Sequence, residues 1–247
     1  MARLSVNLNK VALLRNSRRT GVPDLRQFGR IALESGAAGL TVHPRPDERH
    51  IRRDDVPALA ALMQPLRPAI ELNIEGYPDA RMQAILEEVK PEQCTFVPDA
   101  PDAFTSEEGW KLDAAQMALA RPAVAAAKAL GCRVILFIDP DAEVVARVRD
   151  AGADGIEIYT GGYADAFRSG RGADTVLARI GAAAQRAREL GLVVNAGHDL
   201  NLRNIPPLLQ AVPFLAEASI GHELTADALE IGFAAAVRAY AAALHGA

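Results

Sequence analysis

The sequence predicts an α/β protein, a single (β/α)8 TIM barrel with extra rim helices that takes up residues 1–247. Three observations carry that prediction. Short apolar runs of strand character alternate with longer alanine- and leucine-rich segments of helical period. No proline- or serine-rich linker divides the chain. The length of 247 residues suits one barrel, for which about 250 is typical. An open, doubly wound sheet is the alternative, but no glycine-rich dinucleotide fingerprint follows the first run.

The strand candidates, in order, are "RLSVNL", "GLTVH", "AIELNIE", "CTFVP", "RVILFID", "GIEIYTG", "LVVNAG" and "FLAEASIG". Fully buried parallel strands need short apolar runs joined by crossover helices, and eight such units close a barrel. Helical candidates lie near Asp24 to Ser35, Asp54 to Leu66, Asp79 to Lys90, Leu112 to Leu130, Asp141 to Asp150, Ala173 to Leu190, Leu202 to Ala211 and Thr225 to Leu244. Several start at an aspartate or threonine suited to an N-cap, and several end at glycine, as in "ALGC" and "ELGL". Two connections exceed the usual length of about 2 to 6 residues. They are Asp99 to Lys111 and Gly161 to Gly172, and both leave strands on the rim where chemistry sits in this fold. These are the candidate closing loops, the second from Ala164 to Gly172.

Composition removes several functions. The net charge of -4 leaves no basic footprint for nucleic acid, and no lysine-rich stretch fits an anionic membrane surface. The start, "MARLSVNLNK", lacks a charged segment followed by the apolar run of about 7 to 15 residues that secretion needs. No apolar stretch is long enough to span a bilayer. A cytoplasmic protein is expected, with Cys94 and Cys132 as buried core residues outside any metal-ligand spacing.

Reactive side chains gather at the strand ends. Of five histidines, His43, His50, His198 and His222 fall at strand ends or in the following loops, and His245 is near the C-terminus. A single histidine is more often structural; four on one predicted rim point to acid–base work. Glu71, Asn73 and Glu75 share one face of the third strand by its period of two. Acids inside a barrel must be paired or functional. Glu75, nearer the carboxyl end, is the catalytic candidate, and Glu71 is read as structural but kept as the alternative base. Glu157 sits similarly in the sixth strand. The "NAGHDL" and "SIGHEL" turns follow the seventh and eighth strands, where such barrels often bind phosphate through backbone N–H groups. A tight turn before a helix is the plain alternative. In "VNLNKVALLRNSRR", Asn7 lies within the rim and Arg15, Arg18 and Arg19 beyond it; Arg18 is either a phosphate ligand or simply solvated.

In combination, "VNLNKVALLRNSR", "AGLTVHPRPDERHI", "NIEGYP", "TFVPD" with "TSEEGW", "LFIDP", "IEIYTGGYA", "VNAGHDL" and "SIGHEL" make the chain resemble the pyridoxine 5'-phosphate synthase family over nearly its whole length. The resemblance implies a barrel enzyme of vitamin B6 biosynthesis. It joins 1-deoxy-D-xylulose 5-phosphate to 3-amino-2-oxopropyl phosphate, giving pyridoxine 5'-phosphate, phosphate and water. It implies His43 and Glu75 as proton acceptors, His198 as proton donor and Glu157 as stabiliser of charge. Arg45, His50 and Thr105 would hold the deoxyxylulose phosphate; Asn7, Arg18, Gly221 and His222 would hold the amino ketone phosphate. Neither metal nor cofactor is implied, and the assembly expected is a homo-octamer.

Departures from that pattern are local. Where many members read Asn-x-Asp-His, this chain has Asn7, Leu8, Asn9 and Lys10, so Asn9 and Lys10 imply an altered grip on the sugar phosphate. Asp199 stands where glycine is common after the histidine; its backbone N–H could still bind substrate while its carboxylate points away from phosphate. The segment between His43 and Glu75 also looks somewhat long. Two rivals remain: another phosphosugar barrel such as an epimerase, isomerase or aldolase, and a non-catalytic barrel that binds a phosphorylated metabolite. An aldolase would want a Schiff-base lysine on a strand, and Lys90, Lys111 and Lys128 lie away from strand ends.

Overall fold

Eight strands pair in parallel and in chain order, and the last closes on the first. They are β1 (Arg3–Asn7), β2 (Gly39–Val42), β3 (Glu71–Gly76), β4 (Gln93–Phe96), β5 (Arg133–Ile138), β6 (Gly155–Tyr159), β7 (Val193–Gly197) and β8 (Glu217–Ile220). Closure runs through the register Arg3↔Glu217 to Val6↔Ile220. The computed structural model describes residues 1–99 and 108–246. Thr105 and most of the connection after β4 therefore lie outside the described residues.

Eleven helices surround the barrel among the described residues: α1 (Asn9–Asn16), α2 (Leu25–Glu34), α3 (Asp55–Met63), α4 (Ala80–Val89), α5 (Ala114–Ala129), α6 (Ala142–Asp150), α7 (Gly161–Ser169), α8 (Ala173–Glu189), α9 (Ile205–Ala211), α10 (His222–Ile231) and α11 (Phe233–His245). The aspartate caps form at Asp24, Asp79, Asp113 and Asp141, each accepting a backbone N–H of the first turn. Asp54 makes no such bond, and Thr225 lies inside α10. The helix expected from Thr225 to Leu244 is instead two helices. Gly232, at φ 84°, takes a backbone conformation that a side chain disfavours and breaks the run there.

Two rim segments read as loops are helices. In α1, the Asn9 N–H bonds to Asn7 Oδ1 at 3.0 Å and turns the chain over the mouth of the barrel, while Val11 and Ala12 are buried. In α7, glycines at the first two positions weaken the sequence signal, but Tyr163 is buried and donates to the Asn204 carbonyl at 2.8 Å. Tertiary packing overrides propensity in both.

Strand period divides the residues sharply. Leu4, Val6, Leu40, Val42, Leu72, Ile74, Ile156 and Ile158 face the helices and are almost fully buried. The inward face is largely polar, although barrels of this class are usually filled by branched apolar side chains. Ser5 and Thr41 share a hydrogen bond of 2.6 Å, Asn73 donates to Thr41 at 3.4 Å, and Gln93 joins Glu217 at 2.9 Å and Asn195 at 3.2 Å. Every such residue is buried, so an unmade bond there costs stability, and of their side-chain atoms Asn195 Oδ1 is left without a partner among the described residues.

Candidate active site

The carboxyl ends of the strands bring most of the expected residues together, and the floor of the barrel takes Glu71 away from them. Glu71 accepts from Arg3 Nη1 at 3.1 Å and also pairs with Arg133. Those guanidinium groups pull its carboxyl below the ordinary range even though burial acts the other way. Four residues along β3, Glu75 points into the opposite mouth. It accepts from Asn7 Nδ2 at 3.3 Å and lies 3.9 Å from His43 Nδ1. Burial pushes the Glu75 carboxyl up to about 7, with Asn7, Ser219 and the charge of His198 opposing the rise.

His43 leaves β2 beside it. Burial, then the neighbouring Arg45 charge, drives its imidazole well below the usual value, so the ring is neutral at pH 7 and able to accept a proton. Its backbone N–H is held by Asn9 Oδ1 at 2.9 Å. Asn9 thus spends its amide oxygen on positioning His43. His50, pushed down to about 4 mainly by burial, accepts the Ile51 N–H on Nδ1 at 2.9 Å. The neutral ring then carries its proton on Nε2 and offers one donor. Arg45 is buried in an ion pair with Asp99 at 3.1 Å, and Lys10, in the first turn of α1, is within electrostatic reach of His50.

The loop that carries His50 is clamped from α1. Arg15 grips Asp55 through two nitrogens at 2.5 and 2.9 Å and donates to the His50 carbonyl at 3.0 Å. Asn16 Nδ2 reaches the carbonyls of Glu48, Arg49 and His50. Arg15 is therefore buried under the rim rather than beyond it, because α1 is a helix and brings its last turn back onto this loop. Arg18 is exposed just past that helix.

On the far side, Glu157 of β6 is buried, and burial followed by repulsion from Glu75 raises its carboxyl well above the ordinary range. Hydrogen bonding agrees. Thr95 Oγ1 is 3.2 Å from Asn73 Oδ1 and 3.4 Å from Glu157 Oε2, yet a hydroxyl has one proton. If that proton serves Asn73, a protonated Glu157 donates to Thr95 and both contacts are satisfied. Gly197 makes room for this carboxyl: a Cβ there would stand 2.2 Å from Glu157 Oε1. Gly197→Ala is expected to displace the carboxyl and lower kcat by about 100-fold while leaving the fold intact, measured by steady-state rates with circular dichroism as the control.

His198 packs edge-on to Tyr159 at 5.1 Å between ring centroids. Asp199 follows it, with Oδ2 3.6 Å from His198 Nδ1. Gly221 touches Asn7, where a Cβ would come within 3.0 Å, and His222 opens α10. Of the residues not anticipated, Ser219 was legible as the period-two neighbour of Glu217 and Gly221. Asp99 and the Arg15 clamp were not, since their partners are 54 and 40 positions away. No group of three His, Cys, Asp or Glu among the described residues is arranged to hold a metal ion.

Comparison with known proteins decides the family. The profile of the family described as "Pyridoxal phosphate biosynthesis protein PdxJ" matches residues 4–246. The chain belongs to that family. A protein of Allorhizobium ampelinum named pyridoxine 5'-phosphate synthase is 52% identical over 97% of this chain and 96% of its own length. One of Chelativorans with the same name is 50% identical over 98% of each chain. Among solved structures, tryptophan synthase from M. tuberculosis in an aminoacrylate-bound form aligns with a TM-score of 0.64 at 14% identity, over 98% of this chain and 93% of that one. This last likeness speaks to the barrel fold alone.

Proposed function

We propose that this PdxJ-family chain is a pyridoxine 5'-phosphate synthase, acting as a single catalytic domain. It condenses 1-deoxy-D-xylulose 5-phosphate with 3-amino-2-oxopropyl phosphate to pyridoxine 5'-phosphate, phosphate and water. Membership of the family and the names of its relatives support the reaction. The observation that carries the site is the placing of a neutral His43 3.9 Å from Glu75, whose carboxyl burial pushes up to about 7.

The substrate amine attacks the partner's ketone, water leaves, and the two substrates are joined by a Schiff base without an enzyme lysine. Proton transfers, loss of phosphate, loss of water and aldol-type ring closure follow. Glu75 and His43 take protons from carbon and nitrogen of the joined substrates, and His198 returns one to a leaving oxygen. Glu157, held neutral, stabilises developing negative charge on oxygen by donating a hydrogen bond, as a carboxylic acid does when an apolar site keeps it protonated.

Arg45, His50 and Thr105 hold the sugar phosphate, assisted by Asn9 and Lys10. Asn7, Arg18, Asp199, Gly221 and His222 hold the amino ketone phosphate, the α10 N-terminus adding its backbone N–H groups. Arg45 already meets Asp99, so phosphate binding there involves exchange of partners.

The protein assembles as a homo-octamer in the cytoplasm. Exposed Leu13 and Leu14 on α1 and Leu229 and Ile231 on the adjoining α10 support an assembly face. No described helix is long and apolar enough to cross a membrane. Purified protein given the two phosphorylated substrates forms pyridoxine 5'-phosphate without added metal or redox cofactor, followed by chromatography of the product. Folded protein that yields no product at saturating substrate favours a binding barrel instead.

A further inference from the structure

His198 and Asp199 are consecutive residues in the left-handed region, at φ 90° and 55°. Aspartate and histidine both enter that region more readily than most residues, and two in succession are held there by their surroundings. Those surroundings are on the page. Thr160 Oγ1 contacts the carbonyls of Gly197 at 2.7 Å and His198 at 2.6 Å, and Asn204 Nδ2 donates to the Asp199 carbonyl at 3.0 Å. The ring of His198 is bounded by Tyr159 and Phe137. Backbone and ring are thereby set so that the Asp199 carboxylate folds back toward the imidazole.

At that end of the ring, Nδ1 is buried and makes no hydrogen bond among the described residues. Asp199 Oδ2 stands 3.6 Å from it, outside hydrogen-bond range by a few tenths of an ångström. The two side chains are 28% and 31% exposed, so a small rotation closes the gap without repacking a core. We infer that Asp199 is a positioning residue for His198: its carboxylate accepts the Nδ1–H, favours the imidazolium and turns Nε2 toward the substrates. Asp199 then binds the amino ketone phosphate through its backbone N–H, which this role leaves untouched.

The proton balance is simple. The imidazolium gives the Nε2 proton to a departing oxygen, the ring becomes neutral, and its remaining proton stays on Nδ1 facing Asp199. Among the described residues, the charged and titratable groups that act on the pair from other elements include Glu75 of β3, Tyr159 of β6, Arg168 of α7 and His222 of α10. Arg168 is drawn to Asp165 at 2.8 Å and Glu223 at 3.5 Å and acts on the Asp199 carboxylate, as His222 does, through charge rather than contact.

The inference rests on the synthase reading, and two measurements separate the two. The pH profile of kcat/KM is recorded for the wild type, Asp199→Asn and Asp199→Gly, the glycine variant being free of strain at positive φ. Loss of an opposite charge at this distance moves the alkaline limb to lower pH by about one unit, so activity at alkaline pH falls about tenfold while the acidic side is little changed. In parallel, histidine NMR without substrates follows the His198 signal, assigned with His198→Gln, and its titration midpoint falls by the same amount in both variants. An unmoved midpoint overturns the inference, and so does a midpoint that moves while the limb stays. Wild-type protein without synthase activity defeats the functional reading, and the NMR titration still decides the contact.

Discussion

Replacing Glu75 with glutamine lowers kcat by about 100- to 10,000-fold, the range expected when a general base is removed, and the protein still folds. Glu71→Gln, four residues earlier on the same face, leaves kcat close to wild type and costs stability instead, about 1 kcal/mol because its arginine partners are partly solvated. Steady-state rates and thermal denaturation on the two variants check the pair; a catalytic defect confined to Glu71→Gln would reassign the base. The pH dependence follows from the site. A carboxyl at about 7 must lose its proton to act, so kcat/KM rises with pH through about 7, and that limb is absent from Glu75→Gln. Stability runs in the other direction. The folded state binds more protons than the unfolded chain between 4.5 and about 7, so the contribution of Glu75 is lost as pH rises through that window. His50, lowered to about 4 from 6.5, acts oppositely: the unfolded chain binds the extra proton, and stability grows as pH rises between those values.

His43→Ala also lowers kcat by about 100- to 10,000-fold, but with a different pH signature. His43 is neutral well below pH 7, so it does not supply the limb assigned to Glu75. The alanine variant therefore keeps the rise through about 7 at a much lower plateau, whereas Glu75→Gln abolishes the rise. A pH series of kcat/KM on both variants distinguishes them. Loss of the limb in His43→Ala would mean that the two groups titrate as one unit rather than in separate roles.

The barrel was legible because burial on both faces of a parallel sheet forces short apolar runs at regular intervals, and all eight predicted strands are present. The alternation in "ELNIEG" also carried real information: one face of β3 holds Glu71, Asn73 and Glu75, while Leu72 and Ile74 face the helices. The rim was harder to read. Glycines in "GGYADAF" and asparagines in "NLNK" look like loop residues, and α1 and α7 form only because the barrel gives Val11, Ala12 and Tyr163 something to pack against.

By itself, then, the sequence determined the closed barrel, the membership of the PdxJ family and the side of the barrel on which histidines and carboxylates gather. Those properties depend on local period and on residue order along the chain. Only the tertiary structure decided which acid is consumed by arginines and which one meets His43, that Arg15 clamps the His50 loop, and that Asp199 turns toward His198. These depend on partners distant in sequence and on burial, and burial, more than residue type, sets which proton each group holds at neutral pH.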